Sequence, residues 1–158
     1  MARLDVETIL SSLETILKTY LNAKITSINE EKADGIVLAQ IDEAKGYYLQ
    51  TLDAEQVSAN PFVFYGIEDI QSQGLGPETL NNYTLGITII LEDSGQDLNV
   101  AKRMFRYSRA LQETLQEHWS DIRGSVKTVI ASLVPIEFKA LNATNISRAV
   151  GVQLTVAI

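Results

Sequence analysis

Residues 83–119 decide the fold, and they begin with the run Tyr-Thr-Leu-Gly-Ile-Thr-Ile-Ile-Leu-Glu-Asp at Tyr83–Asp93. Apolar residues occupy every second position of this run, and a period of two predicts a β-strand with one buried face. The residues expected on that face are Tyr83, Leu85, Ile87, Ile89 and Leu91. Ser94-Gly95-Gln96 then breaks the pattern, and Asp97 is suited to cap the helix that follows.

A long helix is predicted from about Leu98 to His118, because apolar side chains recur there at spacings of three and four. The predicted buried stripe consists of Ala101, Met104, Phe105, Ser108, Leu111, Leu115 and Trp119. The predicted opposite face carries Lys102, Arg106, Arg109, Glu113 and Glu117, with Arg103 on its flank. A strand that leads into an amphipathic helix indicates a two-layer unit of sheet and helix.

A second amphipathic helix is predicted near the start of the chain, over about Val6–Leu21, with Asp5 as its cap. Its stripe consists of Val6, Ile9, Leu10, Leu13, Ile16, Leu17 and Tyr20. Packing within the chain is the simplest interpretation of this stripe, and contact with a neighbouring subunit is the alternative.

The next part of the chain carries short, ambiguous signals. They predict a strand at Ile25–Asn29, a polar turn at Glu30–Gly35, a buried strand at Ile36–Ile41, an extended segment at Tyr47–Gln50 and one helical turn at Asp53–Val57.

A strand at Phe62–Ile67 is predicted next, because a proline suited to a strand entry precedes this aromatic run. Residues Glu68–Asn82 are then expected to form a loop of about fifteen residues, and loops of this length in a compact domain are usually functional or partly disordered. Gly74, Gly76 and Pro77 in this loop are candidate contacts with a partner.

The last part of the chain predicts a long antiparallel hairpin. Its first arm is the extended segment Val126–Lys139, in which Pro135 indicates an edge position or a bulge. The turn is Ala140–Asn145, and the second arm is Ser147–Ile158, which alternates strictly. The whole pattern predicts the α+β class, with a mainly antiparallel β-sheet and helices packed on one face.

Composition limits the possible functions. The chain has 158 residues, which suits a single domain (1–158), and it has a formal net charge of −7. An acidic chain is a poor general nucleic-acid binder, because counterion release needs a basic face. There is no cysteine and only one histidine, His118, so neither a thiolate nor a histidine-based metal site is expected. No apolar run has the length of a membrane span or a signal peptide, so we expect an intracellular protein without membrane contact.

Catalytic motifs are missing from the pattern. The pair Gly74 and Gly76 lacks the later glycine and the preceding strand of a phosphate-binding loop. Adjacent carboxylates such as Glu92 and Asp93 point to opposite sides of a strand, so they form no acid–base dyad. We therefore predict that the protein is not an enzyme and needs no cofactor.

The basic cluster on the long helix has three interpretations. Its members are Lys102, Arg103, Arg106 and Arg109. They form a solvated face with local pairs, such as Arg109 with Glu113, or they make intersubunit salt bridges, or they contact nucleic acid. Glu113 and Glu117 lie on the same predicted face and would repel phosphate, which disfavours the third interpretation.

Two stretches carry a family resemblance. The first is Tyr48-Leu-Gln-Thr-Leu-Asp53, which continues as Asn-Pro-Phe-Val-Phe-Tyr-Gly-Ile-Glu-Asp-Ile at Asn60–Ile70. The second is Asp93-Ser-Gly-Gln-Asp97, leading into Arg-Met-Phe-Arg-Tyr-Ser-Arg-Ala-Leu at Arg103–Leu111. Together they resemble the tail terminator (tail completion, neck) proteins of tailed bacteriophages, especially those with contractile tails.

The resemblance implies a structural virion protein that is assembled in the host cytoplasm. Such proteins form a hexameric ring that caps the tail tube protein, stops tail polymerisation, meets the last sheath ring in contractile tails, and joins the tail to head-side connector and neck proteins. DNA passes through the channel without specific binding. Candidate intersubunit or partner contacts are Lys102, Arg103, Arg106, Arg109, Glu113, Gly74, Gly76 and Pro77. The predicted loop Glu68–Asn82 and the region Gly35–Gln50 are candidates for contacts with the tube or the connector.

Other functions remain open at this point. Related neck and head–tail joining proteins share the same plan. From the residues alone, a cytoplasmic α+β domain that binds a protein or a small ligand is a further alternative. An enzyme would need convergent titratable groups, and no such cluster is evident in the sequence.

Overall fold

A computed structural model describes residues 6–49, 59–73, 80–93, 99–121, 128–134, 139–140 and 146–157. The helices are α1 (Val6–Lys32) and α2 (Val100–His118), and α2 continues into a short 3₁₀ turn at Trp119–Asp121. The strands are β1 (Tyr47–Leu49), β2 (Phe62–Gln73), β3 (Leu80–Asp93), β4 (Thr128–Val134), β5 (Lys139–Ala140) and β6 (Ile146–Ala157).

The strands form one sheet in the order β1-β2-β3-β6-β4, and the short β5 also pairs with β6. Every neighbouring pair is antiparallel except β1 and β2, which are parallel. Strands β4 and β6 are the paired arms of the predicted C-terminal hairpin, and β6 lies between β3 and β4. The predicted α+β class with a mainly antiparallel sheet is confirmed.

Both helices pack on one face of this sheet, where the core lies. The alternation predicted for β3 is confirmed, because Leu85, Ile87 and Ile89 are fully buried. Their cross-strand partners Leu154 and Val152 in β6 are buried as well. One face of the sheet thus supplies about a third of the core residues, and the apolar stripe of α1 supplies about another third.

Helix α1 ends at Lys32, eleven residues beyond its predicted end at Leu21. The strand predicted at Ile25–Asn29 is wrong, because Ile25 and Ile28 continue the apolar stripe of the helix and are buried in the core. The helix ends where Ala33 and Gly35 take positive φ angles of 43° and 81°, a conformation that suits glycine.

The buried face of α2 is rotated about the helix axis relative to the predicted stripe, so that some residues predicted to be buried are exposed. Met104, Leu111 and Leu115 are buried as predicted, together with Val100, Tyr107, Ala110 and Thr114. Ala101 and Phe105 instead face solvent, and the Phe105 side chain is 74% exposed. The reason is Tyr107, whose ring enters the core while its hydroxyl donates a hydrogen bond to the Ala39 carbonyl at 2.7 Å.

Phe105→Ala is expected to change the free energy of unfolding by less than about 0.5 kcal/mol, because the ring buries little surface. Its neighbour provides the matched control: Met104→Ala removes a buried side chain and should cost about 2–4 kcal/mol. Urea denaturation of the two variants checks this. If Phe105→Ala lowers the free energy of unfolding as much as Met104→Ala does, Phe105 is buried as the sequence predicted.

The long loop predicted at Glu68–Asn82 is wrong. Strand β2 extends to Gln73 and β3 begins at Leu80, so most of this region is a hairpin. A β-bulge lies between Ile67 and Asp69. Gln71, Ser72, Asn81 and Asn82 of this hairpin are all polar, which removes the alternation that would indicate strands.

Several predicted features lie outside the described residues. They are the predicted caps Asp5 and Asp97, the predicted helical turn at 53–57, the candidate contacts Gly74, Gly76 and Pro77, Pro135, and residues 141–145 of the predicted last turn.

The hydroxyl of Thr114 is fully buried in α2 and has no hydrogen-bond partner among the described residues. A buried polar group without a partner lowers stability, and valine has nearly the same shape. Thr114→Val should therefore raise the free energy of unfolding by about 1 kcal/mol. The exposed Thr15 provides the control, since Thr15→Val should not stabilise the protein. Lower stability of Thr114→Val in denaturant titrations would show that the hydroxyl is satisfied.

Candidate interaction surfaces

Residues 36–41 run along α1 and are held by two of its asparagines; we call this segment the strap. The Asn29 amide donates to the Leu38 carbonyl at 3.0 Å and accepts from the Leu38 N–H at 2.8 Å. Asn22 makes the same pair of bonds with Ile41, both at 2.8 Å. Each side-chain amide thus forms the two main-chain hydrogen bonds that a residue of a neighbouring strand would otherwise form with the strap.

The spacing of these bonds follows from helix geometry. Asn22 and Asn29 are two helical turns apart, about 10.5 Å, and three residues of extended chain cover about 9–10 Å. The carbonyls of Ile36 and Ala39, also three residues apart, accept bonds from α2. The strand predicted at Ile36–Ile41 is therefore wrong, because the strap repeats every three residues and not every two.

An ion pair joins α2 to the turn after α1. Arg106 donates from Nη1 and Nη2 to the two carboxylate oxygens of Asp34, at 3.0 and 2.5 Å. Nη1 also donates to the Ile36 carbonyl at 2.8 Å. The Arg106 side chain is only 9% exposed, so its predicted place on a solvated face is wrong. The guanidinium holds the pKa of Asp34 at about 2, below its ordinary 3.8.

A second group of charges links the two helices further along. Arg109 makes a two-bond pair with Glu31 at 2.8 and 3.0 Å, and its Nε donates to Glu113 at 2.6 Å. Lys24 lies 2.7 Å from Glu117 and 3.7 Å from Glu113. The predicted local pair of Arg109 with Glu113 is confirmed. Bonding to Arg109 also lowers the pKa of Glu31 from 4.5 to about 2.

The residues of the predicted basic cluster therefore have different environments in the fold. Arg106, Arg109 and Glu113 are engaged within the chain, between α1 and α2. Lys102 is exposed, and Arg103 is half-buried. Sequence reasoning missed the acidic partners Asp34 and Glu31, because they lie more than 70 residues away.

Some large apolar side chains remain exposed among the described residues. They are Val37 in the strap, Leu49 in β1, Ile70 in β2 and Phe105 in α2. Phe105 and Lys102 lie one helical turn apart, so they share the outward face of α2. Aromatic side chains are enriched at protein contact surfaces, whereas lysine is depleted there.

Among the described residues, the outermost strands of the sheet are β1 on one side and β4 on the other; the two-residue β5, which carries Lys139, lies on the same side of β6 as β4. Natural edge strands usually carry charges or proline, which prevent another strand from pairing with them. Strand β4 reads Thr-Val-Ile-Ala-Ser-Leu-Val and has no charged residue over seven positions. Strand β1, Tyr-Tyr-Leu, is uncharged too. A register shift between Ala131 and Leu133 is the only irregularity in the pairing of β4.

The bulge at Glu68 carries a carboxylate across the face of the sheet that lies away from the helices. Its Oε2 accepts a hydrogen bond from Gln153 of β6 at 2.7 Å. The side chain passes over Gly86 of β3, where an added Cβ would collide with it. A side chain at Gly86 would therefore displace the exposed Glu68 side chain from this position.

A shallow groove with a volume of about 450 Å³ lies against α1, lined by Ser12, Thr15, Ile16, Thr19, Tyr20 and Asp121. Tyr20 stacks on His118 with ring centroids 3.5 Å apart, so this histidine packs against α1. The groove hydroxyls of Ser12, Thr15 and Thr19 donate to carbonyls of their own helix. Within the described ranges, no three histidine or acidic residues converge on a possible metal position.

The chain matches no protein-family model and no curated protein. Neither α1 nor α2 is both long and apolar enough to cross a membrane.

Proposed function

We propose that this chain is a structural subunit of a closed ring, of the kind formed by phage tail terminators. The ring is a hexamer in the neck of the virion. It caps the tail tube, stops tube polymerisation, meets the last sheath ring in a contractile tail and offers a surface to the head-side connector. The observation that carries the proposal is that β1 and β4, the outermost of the described strands at opposite ends of one sheet, contain no charged residue.

The position of the two edges favours a ring over a two-fold dimer. Contacts between different surfaces of successive subunits are heterologous, and they close into a ring when the rotation between subunits permits it. An edge such as β4 that lacks charges is a template for another strand. Assembly would cover this edge, which would otherwise promote aggregation.

The arrangement of elements supports the resemblance to tail terminators. The segment Asn60–Ile70 includes the first nine residues of β2, and Arg103–Leu111 lies within α2. The helix α1, the central strand that leads into α2, and the C-terminal β4–β6 pair follow the expected plan. A net charge of −7 suits a ring through which DNA passes without specific binding.

The fold narrows the surfaces that can meet partners. Arg106, Arg109 and Glu113 are paired inside the subunit, so we assign the outward face of α2 at Lys102 and Phe105 to contacts with the tube or the connector. This role requires no catalytic group and no cofactor.

The first test is the mass of the purified protein by light scattering over a range of concentrations, followed by negative-stain imaging. We expect a species of six subunits with a central hole, in solution or after addition of purified tail tubes. Because a ring can need the tube as a template, capping of tubes is measured in parallel. A monomer that also leaves tubes uncapped would overturn the proposal.

A further inference from the structure

We propose that neighbouring copies of this chain join by antiparallel pairing of β4 from one copy with β1 from the next. The inference rests on the proposed ring and names the strands that close it. In the proposed ring, β1 and β4, the outermost of the described strands, each pair with a strand of a neighbouring copy of the same chain.

The strand directions permit this pairing. Strand β1 runs parallel to β2, while β2 and β3, β3 and β6, and β6 and β4 are each antiparallel. Strands β1 and β4 therefore run in opposite directions. A rotation about an axis along the strands preserves their directions, so β4 of one copy meets β1 of the next as an antiparallel pair. Antiparallel ladders are slightly more stable per residue than parallel ones.

The outer edge of β1 has main-chain groups in position for a new ladder. The Val63 N–H donates to the Gly46 carbonyl at 2.7 Å, and Tyr48 lies opposite Phe64. In a parallel ladder of this register, Tyr48 directs its N–H and C=O toward β2. Tyr47 and Leu49 then direct theirs away from the sheet. The Leu49 side chain is 51% exposed at this edge.

Strand β4 offers a matching segment of regular strand. Thr128–Ala131 pairs with β6 without interruption, and the irregularity comes only after Ala131. This run of four residues is long enough to accept the three residues of β1. Neither strand has a charged residue, so no unfavourable charge enters the new ladder.

A two-fold pair of β4 with β4 would also be antiparallel, and it would leave β1 open. Disulfide trapping separates the two arrangements, because the chain has no cysteine of its own. Leu49 lies opposite the buried Tyr65, and Ile130 lies opposite the buried Leu154, so both occupy the helix side of the sheet. Leu49→Cys and Ile130→Cys can therefore meet across the proposed interface.

The two single-cysteine variants are oxidised alone and as a mixture, and the products are compared by mass under non-reducing conditions. We expect a covalent dimer only in the mixture. A chain that carries both cysteines should give a ladder up to six subunits. Val37→Cys mixed with Ile130→Cys is the matched control, because Val37 is 65% exposed but outside the interface. A dimer from Ile130→Cys alone would overturn the inference in favour of the two-fold pair.

A charge in the edge strand gives an independent readout. Val129 pairs with Thr155 of β6 in the ladder, next to Ile130, so Val129→Lys adds a charge to the edge strand at the adjacent register position. We expect a folded subunit by circular dichroism that no longer assembles. A ring that persists in Val129→Lys, without the mixed crosslink, overturns the inference and leaves the proposed function intact. A protein that neither assembles nor caps tubes in any form overturns both.

Discussion

Replacing Asn22 and Asn29 together by alanine should lower the free energy of unfolding by about 4 kcal/mol. Each change removes two hydrogen bonds and leaves an N–H and a C=O of Leu38 or Ile41 unpaired. Both strap residues are 2% exposed, so water cannot readily replace the lost partner. An unpaired buried polar group costs about 1–3 kcal/mol, and the better helix propensity of alanine offsets only about 0.5 kcal/mol per site.

Urea denaturation of the single and double variants measures this cost. Asn29→Asp is a further variant at this site: it keeps the acceptor for the Leu38 N–H but replaces the donor by a carboxylate oxygen that faces the Leu38 carbonyl. It should be less stable than the wild type. Gln40→Ala is the surface control, because the bond from Gln40 to Thr26 is exposed and should contribute little. If the double variant is no less stable than Gln40→Ala, the asparagines do not hold the strap.

Arg106→Ala should lower the melting temperature by several degrees. The change removes two bonds to Asp34 and one to the Ile36 carbonyl, where the turn after α1 meets the start of the strap. Arg106→Lys should recover only part of the loss, because an ammonium group cannot form the planar pair with both carboxylate oxygens. Lys102→Ala, four residues earlier on an exposed face, is the control and should melt like the wild type.

The same pairs predict how stability depends on pH. In the folded protein the pKa values of Asp34 and Glu31 are about 2, below their ordinary values of 3.8 and 4.5. A lowered carboxyl pKa stabilises the folded state above the unfolded pKa, and this contribution is lost as pH falls through the folded value. Wild-type stability should therefore fall between about pH 4.5 and 2. Arg106→Ala should lose less stability over this range; an identical pH profile would show that the pair with Asp34 does not contribute.

Local patterns were enough for the central elements of the fold. The alternation in β3 and β6 and the helical spacing in α1 predicted which residues meet in the core, because strand and helix periods act over a few residues. They also predicted the α+β class. The same patterns gave wrong predictions where burial depends on contacts with distant parts of the chain. Phe105, for example, fits the apolar spacing of a buried stripe and yet faces solvent.

The candidate contact residues show the limits of sequence reasoning more sharply. A run of basic residues on one helix gave no indication that Arg106 would be buried against Asp34 and that Arg109 would pair with Glu31. Those partners are fixed by the packing of α1 against α2, which brings distant residues together. The identity of the open edges likewise depends on strand order, since β6 could have been an edge by its sequence alone.

The sequence by itself determined the elements with a regular period, the acidic charge and the lack of cysteine, because these depend on residue type and short-range spacing. Only the tertiary structure determined the path of the strap, the ion pairs between the helices, and the position of β1 and β4 as the outermost described strands of the sheet. Each of these joins groups that are far apart in the chain, and their contact depends on how the helices and strands pack together.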